Sequence, residues 1–104
     1  MAYKIHIDPS ARLDIFEAID WYNGRQQNLG FRFYENTKAS FSKIQKNPFG
    51  YAIRYKNIRT AIIGKFPYMI HYLVDQDSET IRVLAIISTY RNPESSWFEN
   101  KKER

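Results

Sequence analysis

The sequence predicts an α+β fold of order β-α-α-β-β-β, a helical hairpin packed on a small, mostly antiparallel twisted sheet. Three observations predict it. Residues 59–93, RTAIIGKFPYMIHYLVDQDSETIRVLAIISTYRNP, contain three runs rich in β-branched and aromatic residues. No helical crossover separates these runs, so they must pair antiparallel. The first half of the chain carries two apolar stripes at helical spacing, grouped ahead of the runs.

Each element follows from its residues. Tyr3 to Asp8 alternates, with Tyr3, Ile5 and Ile7 against Lys4 and His6, and reads as a strand. Asp8-Pro9 then starts a helix, the aspartate placed to cap free amides and the proline suited to the first turn. Ala11, Ile15, Ala18, Ile19 and Tyr22 form one stripe, and Asn23-Gly24 is the expected stop. After a polar loop, Arg25 to Asn28, a second helix runs from about Leu29 to Lys46. Leu29, Phe33, Thr37, Phe41 and Ile44 form its buried stripe. Asn47-Pro48 ends it, because a residue before proline avoids the helical region. So short a connection makes the two helices an antiparallel hairpin.

Pro48-Phe49-Gly50 is a turn and Tyr51 to Tyr55 is extended. Arg59 to Gly64 is the first run of the sheet. In Tyr68 to Val74, residues Tyr68, Ile70, Tyr72 and Val74 face one way, and Met69, His71 and Leu73 the other. In Thr80 to Ser88, residues Ile81, Val83, Ala85 and Ile87 oppose Arg82, Leu84 and Ile86. Asp75-Gln76-Asp77-Ser78 is the hairpin turn between these two runs. The first strand joins the sheet in the middle or at an edge; the pattern leaves both open. Trp97 and Phe98 are expected to dock on the domain, and about 99–104 to be a frayed tail.

With 104 residues the chain is one domain, 1–104, since two cores would bury too little surface. Its 43% hydrophobic and 16% aromatic content supports a core rather than disorder. The absence of cysteine excludes disulfides and thiolate metal sites, and fits a reducing cytoplasm. MAYKIHIDPS lacks the charged leader and apolar run of a signal peptide, and no apolar run reaches a membrane span. Sixteen Lys and Arg against eleven Asp and Glu give a net charge of +5, which suits either a polyanionic partner or an ordinary solvated surface.

The chemistry-bearing patterns are sparse. His6 and His71 have no partner at ligand spacing, so no metal or other cofactor is expected. No Gly-x-Ser-x-Gly elbow and no phosphate-cradling glycine loop occurs. What remains is a basic set, Arg54, Lys56, Arg59, Lys65, Arg82 and Arg91, with Tyr90 and Trp97 nearby in sequence. Arg59 opens the core stretch and Arg91 closes it. If the strands lie close, the two guanidiniums could share one end or face and bind phosphate or carboxylate beside aromatics that stack. The same residues also fit a surface of solvated arginines.

Four segments together resemble the RelE/ParE superfamily of toxins from bacterial type II toxin–antitoxin modules. They are ARLDIFEAIDWY, NLGFRFYENTKASFSKIQKNP, IRTAIIGKFPYMIHYLV and IRVLAIISTYRNPESSW. The likeness spans nearly the whole chain in the right order. It implies a cytoplasmic toxin neutralised by a cognate acidic antitoxin whose C-terminal segment folds on binding, which a +5 surface would favour.

The superfamily divides by target. Its ribonuclease members cut messenger RNA on the ribosome, with strand lysines and an arginine stabilising the transition state and an arginine and a tyrosine near the C-terminus. The lysine positions correspond here to Thr60 and Ile62, and the next-strand arginine to Met69. Arg91 matches the C-terminal arginine. Trp97, which cannot exchange a proton, stands where the tyrosine belongs, and Ser88 stands near the place of a frequent histidine. The resemblance is therefore closer to the ParE-like, plasmid-stabilisation branch, which inhibits DNA gyrase. On that reading Arg59, Tyr90, Arg91 and Trp97 belong to a target-binding surface and nothing is catalytic. The alternative is a ribosome-dependent endoribonuclease using Arg59, Tyr90 and Arg91. A third possibility is an inactive relative that keeps only antitoxin binding.

Overall fold

A computed structural model describes residues 2–90. The elements are β1 (Lys4–Ile7), α1 (Pro9–Arg25), α2 (Leu29–Lys46), β2 (Ile53–Tyr55), β3 (Ile58–Ile62), β4 (Tyr68–Asp75) and β5 (Thr80–Ser88). The fold class is the expected α+β, with one strand more than the order β-α-α-β-β-β. The extended segment before Lys56 is itself a short strand, β2, which pairs antiparallel with β3 across a turn in which Lys56 has φ 50°.

The sheet order is β1-β5-β4-β3-β2. The contiguous strands β2 to β5 pair antiparallel, as loop lengths demand. β1 takes the edge position that the pattern left open, and it pairs parallel with β5, Lys4 to Ile7 against Thr80 to Val83. The helices between β1 and the rest make that parallel pairing possible.

The helical hairpin covers one sheet face. Ala11, Ile15, Ala18 and Tyr22 from α1 and Phe33, Thr37, Phe41 and Ile44 from α2 are buried, close to the predicted stripes. They meet Ile70, Tyr72, Ile81, Val83 and Ile86 of the sheet. Each such large side chain, removed from water, contributes about 1.5–3 kcal/mol. The hairpin closes tightly at Gly30, where an added Cβ would lie 2.5 Å from the Ile19 carbonyl oxygen and 2.7 Å from the Asn23 side chain.

Three local expectations are corrected. Helix α1 does not stop at Asn23-Gly24. It continues to Arg25, and Asn23 instead accepts a hydrogen bond from the Gly30 amide at 2.8 Å, so the pair fastens the hairpin. The left-handed residue of the connection is Asn28, φ 69°. Asp8 makes no side-chain cap. Its carboxylate is held by Arg82 through two hydrogen bonds of 2.9 and 3.0 Å, an ion pair that competes for the same oxygens. Finally, strict alternation fails in β5. Tyr72 pairs with Val83 but His71 pairs with Ala85, leaving Leu84 as a bulge. Beyond it the faces exchange, so Ile86 turns to the helices while Ala85 and Ile87 join the opposite face.

β5 outruns β1, which would leave its backbone bare on that side. Helix α1 covers it: Ser10 Oγ donates to the Leu84 carbonyl at 3.3 Å, and the Asp14 carboxylate accepts from the Ile86 amide at 3.1 Å.

Candidate functional site

The sheet face opposite the helices is the place to which the resemblance assigns ribonuclease cations. Its rows are Thr60–His71–Ala85 and Ile62–Met69–Ile87. Thr60, Ile62 and Met69 therefore share this face, and none can carry positive charge. Met69, His71, Ala85 and Ile87 are buried. β2 brings in Arg54, whose Nη1 lies 3.9 Å from Met69 Sδ, and Tyr55, whose hydroxyl hydrogen-bonds His71 Nδ1 at 3.0 Å. Burial, and then the Arg54 charge, lower the His71 pKa from 6.5 to about 4. The imidazole is thus neutral at pH 7, beside one guanidinium. Sequence reading placed Arg54 only in a general basic set and His71 only on a strand. Their meeting depends on the irregular β2 register between Ile53 and Tyr55, for which the pattern gives no signal.

Arg59 faces the helix side in the row of Tyr72. Its Nη1 donates to the Tyr51 carbonyl at 2.6 Å and to the Phe49 carbonyl at 3.5 Å, with the Phe49 ring 5.2 Å away. Tyr72 donates to the Pro48 carbonyl at 2.8 Å, and burial keeps its hydroxyl protonated by raising the pKa. Arg59 and Tyr72 together pin the turn that follows α2.

Tyr90 lies just past β5 and is 87% exposed. The Thr89 amide donates to the Pro67 carbonyl at 2.8 Å, which sets this end of β5 against the β3–β4 turn. β3 and β5 both run antiparallel to β4, so the start of β3 and the end of β5 fall at opposite ends of β4. Arg59 pairs with Tyr72 and Ser88 with Tyr68, rows about 13 Å apart along the strand. Arg59 and Tyr90 therefore stand at opposite ends of β4, whereas the expectation of one shared end or face concerned Arg59 and Arg91. Arg91 and Trp97 lie outside the described residues.

Two surface features escaped the sequence reading. Around Tyr22 gathers an aromatic cluster, with the rings of Trp21, Phe33, Phe66 and Tyr68 at 5.0 to 6.0 Å. Trp21 is 52% exposed, and the Arg25 guanidinium stands 4.3 Å over its ring. The i, i+4 spacing of Trp21 and Arg25 was the available signal. On the outside of the hairpin, a groove of about 270 Å³ runs between the helices past Ile15, Phe16, Tyr34 and Phe41, with Arg12 and Lys38 beside it. It continues past Ile19 and Phe31. Phe16 and Phe31 are about 60% exposed.

Of the remaining cations in the basic set, Arg82 is committed to Asp8, whose hydrogen bonds and charge raise its pKa. His6, on β1, has Nε2 3.7 Å from Asp8 and is separated from His71 by β5. Among the described residues no helix is long and apolar enough to cross a membrane.

Known proteins resemble the chain in family and in fold. No curated protein sequence matches it. Among solved structures, the chromosomal ParDE toxin–antitoxin system from P. aeruginosa contains a chain that superposes with a TM-score of 0.72 at 15% identity. That match covers 84% of this chain and 96% of that one. The intact E. coli RelBE toxin–antitoxin complex gives 0.66 at 16% identity, covering 86% and 100%. A double arginine-to-alanine mutant of the E. coli toxin RelE in the free state gives 0.63 at 16% identity, covering 100% and 98%. The family model described as the ParE toxin of the type II toxin–antitoxin system, parDE, matches residues 5–93, and the chain belongs to that family.

Proposed function

We propose that this type II toxin acts in the ParE manner, arresting growth in the cytoplasm by inhibiting DNA gyrase, and that it does not cut RNA. The observation that carries the reading is the loss of charge at three positions of the sheet face that also holds Arg54. Where a ribonuclease relative would place two lysines and an arginine, this sheet presents Thr60, Ile62 and Met69. One well-placed cationic or hydrogen-bonding donor is worth about two to three orders of magnitude in rate. The loss of three leaves little to stabilise a phosphorane-like transition state. The alternative catalytic set fares no better, because Arg59 is engaged by carbonyls at one end of β4 and Tyr90 lies beyond the other. A buried His71 near pKa 4 offers no proton carrier at neutral pH.

In this reading Tyr90, with Arg91 and Trp97, belongs to the target-binding surface, and Arg59 contributes by fixing the turn at its own edge. The cognate antitoxin docks an acidic amphipathic helix in the hairpin groove, where exposed Phe16, Phe31 and Tyr34 meet Arg12 and Lys38. Brief induction without antitoxin tests the function. Loss of gyrase supercoiling and DNA damage with intact messages is expected; cleavage within translated codons by primer extension would refute it.

A further inference from the structure

We infer that Trp21 and Arg25 of α1, together with Tyr90, form the surface that grips the toxin's target, and that the target presents an acidic protein surface there. The inference deepens the non-catalytic reading above and rests on it. Three elements converge at this end of the molecule. The last turns of α1 carry Trp21 and Arg25. The β3–β4 turn brings Phe66, 5.0 Å from the Tyr22 ring, and the exposed Lys65 beside it. The Thr89–Pro67 hydrogen bond brings Tyr90 to the same turn. Tyr90 lies close enough to Tyr22 to help raise its pKa, after burial and Tyr68.

The composition of this surface decides the kind of partner. Trp, Tyr and Arg are the residues that dominate binding energy at protein interfaces, and here all three stand exposed around one buried hub. Arg25 is already held over the Trp21 ring, so little side-chain entropy is lost when the pair docks. Arg25 and Lys65 add positive charge for carboxylates on the partner, with Glu17 one turn back as the acidic boundary. Two cations among the described residues, three with Arg91, are too few for a nucleic-acid surface. Tight duplex binders neutralise about six to ten phosphates, and each contact adds only about 0.9 to the salt slope.

The surface is also separate from the antitoxin groove. At about 100° per residue, Ile19 and Trp21 point about 200° apart around α1, as do Asn23 and Arg25. The groove residues Arg12, Phe16, Ile19 and Asn23 lie on one flank of the buried stripe, and Glu17, Trp21 and Arg25 on the other. A neutralised toxin therefore keeps this patch uncovered by any helix lying in the groove.

The test uses the toxin with Trp21→Ala and, separately, Arg25→Glu, with thermal melts to establish that each variant is folded; Arg25→Glu leaves the aromatic cluster around Tyr22 intact. Growth arrest on induction, affinity for purified gyrase and affinity for the cognate antitoxin are measured. Both variants are expected to relieve arrest and to bind gyrase at least tenfold more weakly, with antitoxin affinity within twofold. Wild-type arrest in both variants would overturn the inference. So would a parallel loss of antitoxin binding, or tight binding of bare duplex DNA by the wild type that both variants lose. A wild type that fails to bind gyrase, with variants that still relieve arrest, removes the gyrase reading and keeps the surface.

Discussion

Acidification should weaken the fold through His71. This side chain is 1% exposed, shares a hydrogen bond with the Tyr55 hydroxyl at Nδ1 and lies within reach of the Arg54 charge. Its pKa falls from 6.5 to about 4 on folding, burial being the larger cause. Between those values the unfolded chain binds the proton and the folded one does not. Stability is therefore complete above pH 6.5, falls as pH drops through the window, and levels off below pH 4. Linkage gives a loss of about 2 kcal/mol at pH 5 and about 3 kcal/mol at pH 4, a large share of a small domain's stability. Urea unfolding at four pH values, compared with His71→Gln, isolates this contribution from that of the carboxylates. NMR titration checks it directly, since His6 is the second of only two histidines. A His71 midpoint at or above 6.5 would refute the reasoning.

Other substitutions should grade by burial. Gly30→Ala forces a Cβ against the Ile19 carbonyl and should cost about 1–3 kcal/mol in urea titration by prying the helices apart. Tyr72→Phe removes the donor to the Pro48 carbonyl and should cost about 1 kcal/mol, with faster amide exchange in the turn that Arg59 also holds. Arg82→Ala breaks an ion pair whose arginine is 59% exposed, so thermal melts should change by less than about 1 kcal/mol, and by less still in high salt.

The fold was largely legible because its signals are local. The α2 limits, Leu29 and Lys46, follow from a stripe closed by Asn47-Pro48, and Asp75-Gln76-Asp77-Ser78 marks its turn through the Asp75 carboxylate, which accepts the Asp77 and Ser78 amides. What escaped is tertiary. A period of two cannot announce the bulge at Leu84, so Ala85, Ile86 and Ile87 were assigned to the wrong faces. Asp8 was a sound cap in isolation, but Arg82, 74 positions away, claimed it. Arg59 looked like a free cation because nothing local shows that the Tyr51 carbonyl would reach it. The site suffered most for that reason: Trp21 and Arg25 sit one turn apart on α1, Tyr90 comes from beyond β5, and only the packing around Tyr22 joins the two segments.

The parallel pairing of β1 with β5 ties the first strand of the described residues to the last of them. During synthesis, residues 4–7 emerge well before residues 80–83 and must wait for them to find a hydrogen-bonded strand neighbour, a closure of high contact order. A product released anywhere before position 80 would keep its leading strand orphaned and its sheet unfinished. Translation that stops short of β5 would thus leave a chain unable to complete this sheet.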